Sequence, residues 1–271
     1  MTTHASGDST PATIAASALG VDADAICSVE RIKHGLTNDS WRVRTASDVV
    51  IVRLSNPSEA LLQIDRASES RVLKAVAGAG LGPEILVCDP ARRVLVTRDL
   101  GKTWEQGDAH VPSNLRRIAK LLRSLHVMAI PPQVRRVDLV QTIQGYLRAL
   151  DERGHRSELN NESIRLRAQH AALALRHNSE EALCHNDVHH LNIIDDGTLR
   201  LIDWEYSGVG EAMFDLASIC VYHRFAHHER EHLLEAYLQA PTAAAPHRLE
   251  LACWLFEYVK ELWMEVRADA R

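Results

Sequence analysis

The sequence predicts an α+β protein with a small antiparallel sheet and one helix in a first lobe and a mainly helical second lobe. Its 271 residues suffice for one large or two small packed domains. Segments of alternating or β-branched apolar residues end before Gly101, and apolar residues recur at helical intervals after it. We therefore expect an N-terminal extension over residues 1–25, a sheet-containing lobe over 26–98 and a helical lobe over 99–271.

The first lobe is expected to form an antiparallel meander. A short helix over residues 12–19 precedes it and ends before Gly20. Apolar residues at helical spacing predict a second helix from about residue 57 to Ala77, which the glycine-rich segment 78–83 ends. Strands are expected at residues 29–32, 41–44, 49–54, 85–88 and 93–97.

The second lobe is expected to consist of helices around one hairpin. Two short apolar segments flank an Asp-Gly turn at residues 195–198, which predicts a strand, a turn and a strand over 193–202. The helices are expected at residues 115–126, 137–150, 163–177, 212–223, 231–239 and 248–266.

Three residues around this hairpin suit phosphoryl transfer. Asp187 and Asn192 lie five positions apart just before it, and Asp203 follows its second strand. Strand pairing brings Asn192 and Asp203 to one edge, where amide and carboxylate oxygens can share a magnesium ion. Asp187 is then the candidate catalytic residue, which accepts a hydrogen bond from the attacking hydroxyl. The alternative is an ordinary hairpin with polar turns, which three coincident spacings disfavour.

The chain resembles the aminoglycoside phosphotransferase and choline kinase family, which includes thiamine kinases. From His185 to Asn192 the sequence fits the family pattern H-x-D-x-x-x-x-N, and from Ile202 to Tyr206 it fits I-D-[FW]-E-[YH]. The resemblance extends from Ile26 to the C-terminus. It implies a protein-kinase-like two-lobe fold, ATP and Mg²⁺ as cofactors, and a small-molecule alcohol as substrate.

The resemblance also implies nucleotide contacts in the first lobe. Polar residues between the first two strands would offer donors to phosphate oxygens, and Arg53 takes the strand position of a phosphate-binding cation. Glu69 would be its acidic partner, with Glu59 and Asp65 as alternatives. The backbone of residues 97–99 would pair with a purine, which is compatible with ATP or GTP. The implied cofactor-binding residues are Gly35, Thr37, Asn38, Arg53, Glu69, Thr97 and Asp99.

Aromatic and acidic residues near Asp203 and in the last helix indicate a cationic acceptor, because ring faces and carboxylates attract cations. Choline kinases hold their substrate in an aromatic cage. The alternative is that aromatic residues at helical spacing pack a terminal helix. The candidate substrate residues are Trp204, Glu205, Trp254, Glu257 and Tyr258. His185 and Asp215 are expected to brace the catalytic loop by hydrogen bonding.

Composition disfavours several other classes of protein. The formal net charge is −5 and the basic residues are dispersed, so nucleic-acid binding has little support. No apolar segment approaches the length of a membrane span, and no basic segment followed by an apolar core indicates a secretory signal. The five cysteines are scattered, as expected of reduced thiols. We expect a cytoplasmic protein that is a monomer or a homodimer.

Histidine is abundant, with 15 residues. His189 and His190 lie between Asp187 and Asn192, where small residues are common in the family; their bulk can narrow the mouth of the site or point away from it. His223 and His227 have the spacing of a metal pair, but no carboxylate motif completes a site, so an exposed helix face is expected instead.

The first functional hypothesis is an ATP-dependent kinase that phosphorylates the hydroxyl of a small, cationic metabolite such as choline or thiamine. An aminoglycoside O-phosphotransferase is the alternative within the same fold. A catalytically silent nucleotide-binding module is the alternative from another class, although all the catalytic residues are present.

Overall fold

The computed structural model describes residues 10–33, 37–177, 179–240 and 242–268. Gly35, predicted to contact the nucleotide, lies outside the described residues. The chain divides into two compact units. The first comprises Met1–Pro57 and Pro83–Leu100, and the second comprises Ser58–Gly82 and Gly101–Arg271.

The first unit contains a five-stranded antiparallel sheet in the order β1-β2-β3-β5-β4. Helix α1 (Pro11–Leu19) begins at the Thr10 cap and ends at Gly20, whose positive φ of 69° suits glycine. Ala15 of α1 joins the sheet's buried valines in one core. The strands are β1 (Ser28–Ile32), β2 (Asn38–Arg44), β3 (Val49–Ser55), β4 (Ile85–Asp89) and β5 (Val94–Arg98). All five predicted strands are therefore confirmed.

Helix α2 (Arg66–Gly78) is shorter than predicted and belongs to the second unit. Residues Pro57–Ala60 form a 3₁₀ turn instead of the first turn of a long helix. The helix begins after Asp65, whose side chain accepts a hydrogen bond from the Ser68 N–H at 2.9 Å. This grouping differs from the predicted division, which kept residues 26–98 together.

The rest of the second unit is mainly helical, as predicted. Helix α8 packs against α6, α5 and α4, and α3 packs against α7. Their buried faces carry leucine, isoleucine and alanine at helical intervals. The helices are α3 (Pro112–His126), α4 (Leu139–Asp151), α5 (Glu162–Arg176), α6 (Ala212–Tyr222), α7 (His227–Leu238) and α8 (Ala245–Ala268). Among the described residues, no helix combines the length and apolar character that a membrane span requires.

Two small antiparallel pairs carry the loops between α5 and α6. Strands β7 (Ile193–Asp195) and β8 (Leu199–Leu201) form the predicted hairpin. Strands β6 (Glu181–Cys184) and β9 (Gly208–Glu211) also pair, which the sequence did not predict. The β6–β9 pair positions both ends of the segment that contains Asp187, Asn192 and Asp203, because β6 leads into it and β9 leaves it.

Candidate active site

The loop after β6 is held by a carboxylate from α6. The Asp215 Oδ2 accepts a hydrogen bond from the His185 N–H at 2.9 Å, and its Oδ1 accepts one from the Asn186 N–H at 2.6 Å. Asp215 is fully buried, and His126 Nε2 lies 3.0 Å from its Oδ2. Asn186 has a positive φ of 66°, a conformation that asparagine tolerates better than most residues. These contacts agree with the bracing role predicted for Asp215.

His185 links this loop to the segment after β8. Its Nδ1 accepts a hydrogen bond from the Asp187 N–H at 3.3 Å, so Nε2 carries the hydrogen that faces the Ile202 carbonyl at 2.9 Å. Burial lowers the pKa of His185, which favours this neutral tautomer. The predicted bracing role of His185 agrees with these contacts.

The Asp187 carboxylate is partly buried among three polar side chains. Tyr222 donates its hydroxyl hydrogen to Oδ1 at 2.9 Å, and Asn192 Nδ2 lies 3.1 Å from Oδ2. His189 Nε2 lies 3.5 Å from the same Oδ2. Burial alone would raise the pKa of Asp187, but the neighbouring His189 and the Tyr222 hydroxyl lower it. The carboxylate is therefore ionised at neutral pH.

Asn192 and Asp203 lie at the ends of the β7–β8 hairpin, as predicted. The Ile202 N–H donates to the Asn192 carbonyl at 3.0 Å, which ties Asn192 to the residue before Asp203. The Asn192 Nδ2 faces Asp187, and its Oδ1 accepts no hydrogen bond from any described residue. The Asp203 carboxylate helps to raise the pKa of His189, against the effect of burial, which indicates that it lies near the same side chain.

The Asn192 amide and the Asp203 carboxylate are suitable ligands for a hard divalent cation. An amide oxygen and a carboxylate oxygen are the ligands that Mg²⁺ prefers, and the ion keeps water in its other positions. Asp203 has a positive φ of 61°, which is unusual for a residue other than glycine. Such backbone strain is common where a side chain must point into a site.

The predicted nucleotide residues of the first unit lie on β2, β3 and β5. Asn38 pairs with Ser55 across the sheet, and its Nδ2 donates to the Thr37 hydroxyl at 3.3 Å. Arg53 and Thr97 are buried, with 8% and 7% of their surface exposed. The Arg53 side chain is therefore not on a solvated strand face, and its role in phosphate binding stays a prediction.

Asp99 follows β5 and is already engaged within the first unit. Its backbone N–H donates to the Val49 carbonyl at 3.0 Å, and its carboxylate receives Arg42 Nε at 2.7 Å. A purine contact through this N–H would have to replace an existing backbone hydrogen bond. The predicted pairing of the residue 97–99 backbone with a purine stays a prediction.

Glu69 lies on α2 in the second unit, where its carboxylate pairs with Arg66 Nη1 at 2.7 Å. Of the two alternatives, Glu59 pairs with Arg66 Nε at 2.6 Å, and Asp65 caps α2. Arg66 therefore pairs with Glu69 and Glu59, two of the three residues that were predicted as acidic partners of Arg53.

Two predicted substrate residues are placed where a ligand has no access. Trp204 is fully buried, its Nε1 donates to the Leu201 carbonyl at 2.9 Å, and its ring packs on His185 at 4.6 Å between centroids. Glu205 is 2% exposed and pairs with Arg66 Nη2 at 3.1 Å. Both predictions are corrected for the same reason: packing and ion pairing inside the protein already use these side chains.

The remaining three candidates lie on α8. Trp254 and Tyr258 stack with centroids 5.9 Å apart, and the Arg167 guanidinium lies 4.0 Å above the Trp254 ring. Tyr258 donates its hydroxyl hydrogen to the Leu159 carbonyl at 3.0 Å. This arrangement agrees with the alternative of a packed terminal helix. Glu257 remains partly exposed beside Lys260.

Tyr222 donates a hydrogen bond to Asp187 and is not among the site residues predicted from the sequence. Tyr222 follows Asp215 by seven positions, or two turns of α6, so both lie on the same face of that helix. Its ring also contacts His189, with centroids 4.7 Å apart. The helical spacing from Asp215 was the available signal, but it requires knowing that α6 packs against the catalytic loop.

The sequence model of the phosphotransferase enzyme family matches residues 28–252, which is most of the chain. The chain belongs to the phosphotransferase enzyme family. The matched range includes β1 to β9 and the catalytic loop. Membership agrees with the mixed fold, in which a small antiparallel sheet and a helical unit are present.

Solved structures of this family share the fold. The choline kinase LicA from Streptococcus pneumoniae is 22% identical, with a TM-score of 0.76 over 90% of this chain and 86% of that one; LicA has also been solved in complex with AMP. A choline/ethanolamine kinase family protein from Mesorhizobium loti is 28% identical, with a TM-score of 0.73 over 90% and 80%. The macrolide 2′-phosphotransferase MphH from Brachybacterium faecium is 15% identical, with a TM-score of 0.61 over 92% and 88%. A search of curated protein sequences finds no match.

Proposed function

We propose that this phosphotransferase uses ATP and Mg²⁺ to phosphorylate the hydroxyl of a small metabolite. The observation that carries the proposal is the arrangement around Asp187. Tyr222, His189 and Asn192 fix an ionised carboxylate beside the hairpin ends that carry Asn192 and Asp203. Phosphoryl transfer depends mainly on such positioning and on charge stabilisation.

Asp187 orients the acceptor and receives its proton. Because the pKa of this carboxylate is low, it is a weak base for a free alcohol. It holds the hydroxyl in line through a hydrogen bond and takes up the proton late, when the oxygen loses electron density to phosphorus. Tyr222 holds Oδ1 of this carboxylate and His189 lies beside Oδ2, so the two contacts keep the carboxylate in place.

Asn192 Oδ1 and the Asp203 carboxylate would hold Mg²⁺. When bound, the ion offsets the negative charge of the triphosphate as the bond to the leaving group breaks. The strained backbone of Asp203 and the Ile202–Asn192 hydrogen bond fix the two ligands to one edge of the hairpin. Asp187, with its own partners, is left to the acceptor.

The nucleotide would contact the first unit. Arg53, Thr37, Asn38, Thr97 and the Asp99 carbonyl are the proposed contacts of the phosphates and the purine, with Gly35 beside them in the sequence. The AMP complex of a protein with the same fold supports nucleotide use. A role of Glu69 in nucleotide binding stays a prediction.

The proposed acceptor is a small alcohol that carries a positive charge, such as choline, ethanolamine or thiamine. Support comes from the choline/ethanolamine kinase family protein at 28% identity and from the partly exposed carboxylate of Glu257, which pairs with Lys260 Nζ at 2.7 Å. A cage built on Trp204 is not proposed, since that ring is buried. An aminoglycoside remains the alternative acceptor. The cytoplasmic location and the monomeric or homodimeric state stay predictions.

The substitution Asp187→Asn tests the proposal. It keeps the size of the side chain but removes the charge that accepts the proton, so we expect turnover to fall by about 10²–10⁴-fold, while the Kd for ATP stays within about twofold. Phosphorylated product is measured by mass spectrometry across choline, ethanolamine, thiamine and aminoglycosides. Asp196→Asn, in the exposed turn of the hairpin, is the matched control.

Two results would contradict the proposal. Full turnover in Asp187→Asn would remove the proposed role of this carboxylate. Nucleotide binding by the unmodified protein without phosphorylation of any acceptor would favour the catalytically silent module.

A further inference from the structure

Three histidines form a cluster near the catalytic loop, to which His190 belongs. The histidine cluster consists of His110, His190 and His223. The His190 and His223 rings are 5.2 Å apart between centroids at an angle of 76°, and the His110 and His223 rings are 6.1 Å apart. The proposed phosphoryl transfer uses none of the three.

His223 presents an unused nitrogen to the interior. Its Nδ1 lies 3.2 Å from the Gln106 carbonyl, which can only accept, so Nδ1 carries the hydrogen and Nε2 carries a lone pair. Nε2 is buried and has no hydrogen-bond partner among the described residues. Burial lowers the pKa of His223 to about 4, so the ring is neutral at pH 7. A histidine whose other nitrogen donates to a carbonyl is the usual form of a metal ligand.

His190 presents a second unused nitrogen. Its Nδ1 is also buried without a hydrogen-bond partner in the described ranges. Burying two unpaired imidazole nitrogens costs free energy unless something satisfies them. An ion at about 2.0–2.1 Å from each nitrogen would lie about 3 Å from each ring centre. The 5.2 Å between the two ring centres is within the separation that two such ligands of one ion allow.

A second group in the same unit is not a comparable site. His126, Cys184 and Asp215 have potential ligand atoms within 4.8 Å of one another. The two oxygens of Asp215, however, already accept hydrogen bonds from the His185 and Asn186 N–H groups. Burial also raises the pKa of the Cys184 thiol well above its usual value, which disfavours the thiolate that binds metals. That group is a hydrogen-bonded brace.

We propose that His190 and His223 form a binding site for a transition-metal dication such as Zn²⁺ or Co²⁺, separate from the Mg²⁺ site. Imidazole nitrogens select such ions over Mg²⁺, which prefers oxygen. Water would complete the coordination. The His110 ring flanks the site, and its Nδ1 is held by Glu229 at 2.6 Å.

Binding at this site is expected to inhibit phosphoryl transfer. His190 opens the 3₁₀ turn His190–Asn192, which ends on the proposed Mg²⁺ ligand. Fixing the His190 ring on an ion therefore constrains the position of Asn192. The metal site itself does not depend on the proposed function, because its occupancy can be measured without substrate.

The test is a Co²⁺ titration of the full-length, metal-free protein in excess Mg²⁺ without nucleotide, followed by visible absorption and repeated with Zn²⁺ by calorimetry. We expect one ion per chain. His190→Gln and His223→Gln should each weaken Kd by more than about tenfold, since even outer-shell partners contribute that much. His247→Gln, which removes an exposed histidine of α8, is the matched control and should leave Kd unchanged.

Several results would overturn the proposal: no binding by the unmodified protein, an equal loss in all three variants, or an unchanged Kd in His190→Gln. Circular dichroism checks that each variant is folded. Should His223→Gln fail to fold, the half-exposed position of His190 makes His190→Gln the deciding variant. The five cysteines are present in every variant, so they cannot produce a difference between them.

Discussion

Asp187 shows how neighbouring side chains set the chemistry of one carboxylate. Burial alone would raise the pKa of its carboxyl group, but a histidine and a tyrosine hydroxyl lower it and favour the charged form. His189 Nε2 lies 3.1 Å from Asn192 Nδ2 and 3.5 Å from Asp187 Oδ2. The carboxylate in turn raises the pKa of His189 against the effect of burial. Each group thus stabilises the charged form of the other.

Tyr222→Phe should lower kcat by about tenfold, because it removes a hydrogen bond to a charged group. It should leave KM for ATP unchanged. The lost donor also raises the pKa of Asp187, so the acid limb of the kcat profile should move to higher pH. Activity is lost as pH falls through that pKa, since only the carboxylate accepts the proton. The measurement is kcat and KM as a function of pH.

Tyr237→Phe provides the control for this variant. Its hydroxyl lies 2.7 Å from His126 Nδ1 rather than beside Asp187, so the acid limb should stay in place. A Tyr222→Phe variant whose acid limb coincides with that of the unmodified protein would show that Tyr222 only fills space.

Asn192→Ala should raise the Mg²⁺ concentration for half-maximal activity by more than about tenfold. The reason is that it removes the amide oxygen proposed to bind the ion, while Asp203 remains. Initial rates over a Mg²⁺ series at saturating ATP measure the change. Asn160→Ala, in the loop before α5, should leave the Mg²⁺ dependence unchanged; an equal shift in both variants would contradict the assignment.

At the scale of secondary-structure elements, the unpredicted β6–β9 pair decides where the catalytic loop begins and ends. Both strands are four residues long, and β9 contains two glycines, so neither shows the alternation that marks a strand. Gly208 is required by packing. A Cβ added there would lie 2.8 Å from the Arg135 carbonyl, which accepts the Val209 N–H at 2.9 Å.

Gly208→Ala should lower the free energy of unfolding by about 1–3 kcal/mol, because the backbone of residues 135–137 must move to admit the methyl group. Urea denaturation followed by circular dichroism measures the effect. Gly107→Ala is the matched control, because nothing lies within 4 Å of a Cβ at that position. Equal stability of the two variants would show that β9 adapts to the added methyl group.

At the scale of the whole molecule, arginine and lysine side chains of the protein itself lie over several of its aromatic rings. Arg167 lies over Trp254, Lys260 lies 5.8 Å from the Tyr222 ring, and Arg267 lies 5.6 Å from the Trp263 ring. These rings are therefore less available to a cationic acceptor than the sequence suggested. We therefore propose that carboxylates, in particular that of Glu257, select a positively charged acceptor.

A thermal-shift panel should identify the acceptor. Choline, ethanolamine, thiamine, aminoglycosides and neutral sugars are each tested with Mg²⁺ and a non-hydrolysable nucleotide. We expect a cationic alcohol at about 100 times its Kd to raise Tm by about 5 °C or more. Glu257→Gln should reduce this shift, and Glu235→Gln, on the exposed face of α7, should not. Selective stabilisation by a neutral sugar would contradict a cationic acceptor.

The sequence by itself determined the elements and the catalytic motif. Strand alternation, helical periodicity and the spacing of Asp187, Asn192 and Asp203 depend on residues close together in the chain, and such local patterns are readable without a fold. The five-stranded sheet and the β7–β8 hairpin were predicted for this reason. The resemblance that this motif carries agrees with the phosphotransferase family model, which matches residues 28–252.

Only the tertiary structure decided which side chains remain available. Trp204, Glu205 and Tyr222 lie within one stretch of sequence, yet packing buries the first, an ion pair with Arg66 uses the second, and a hydrogen bond joins the third to Asp187. Partners such as Arg66 are distant in the chain, and contacts of that kind leave no periodic trace in sequence. The roles of side chains at the site therefore depend on how α2, α6 and the catalytic loop pack together.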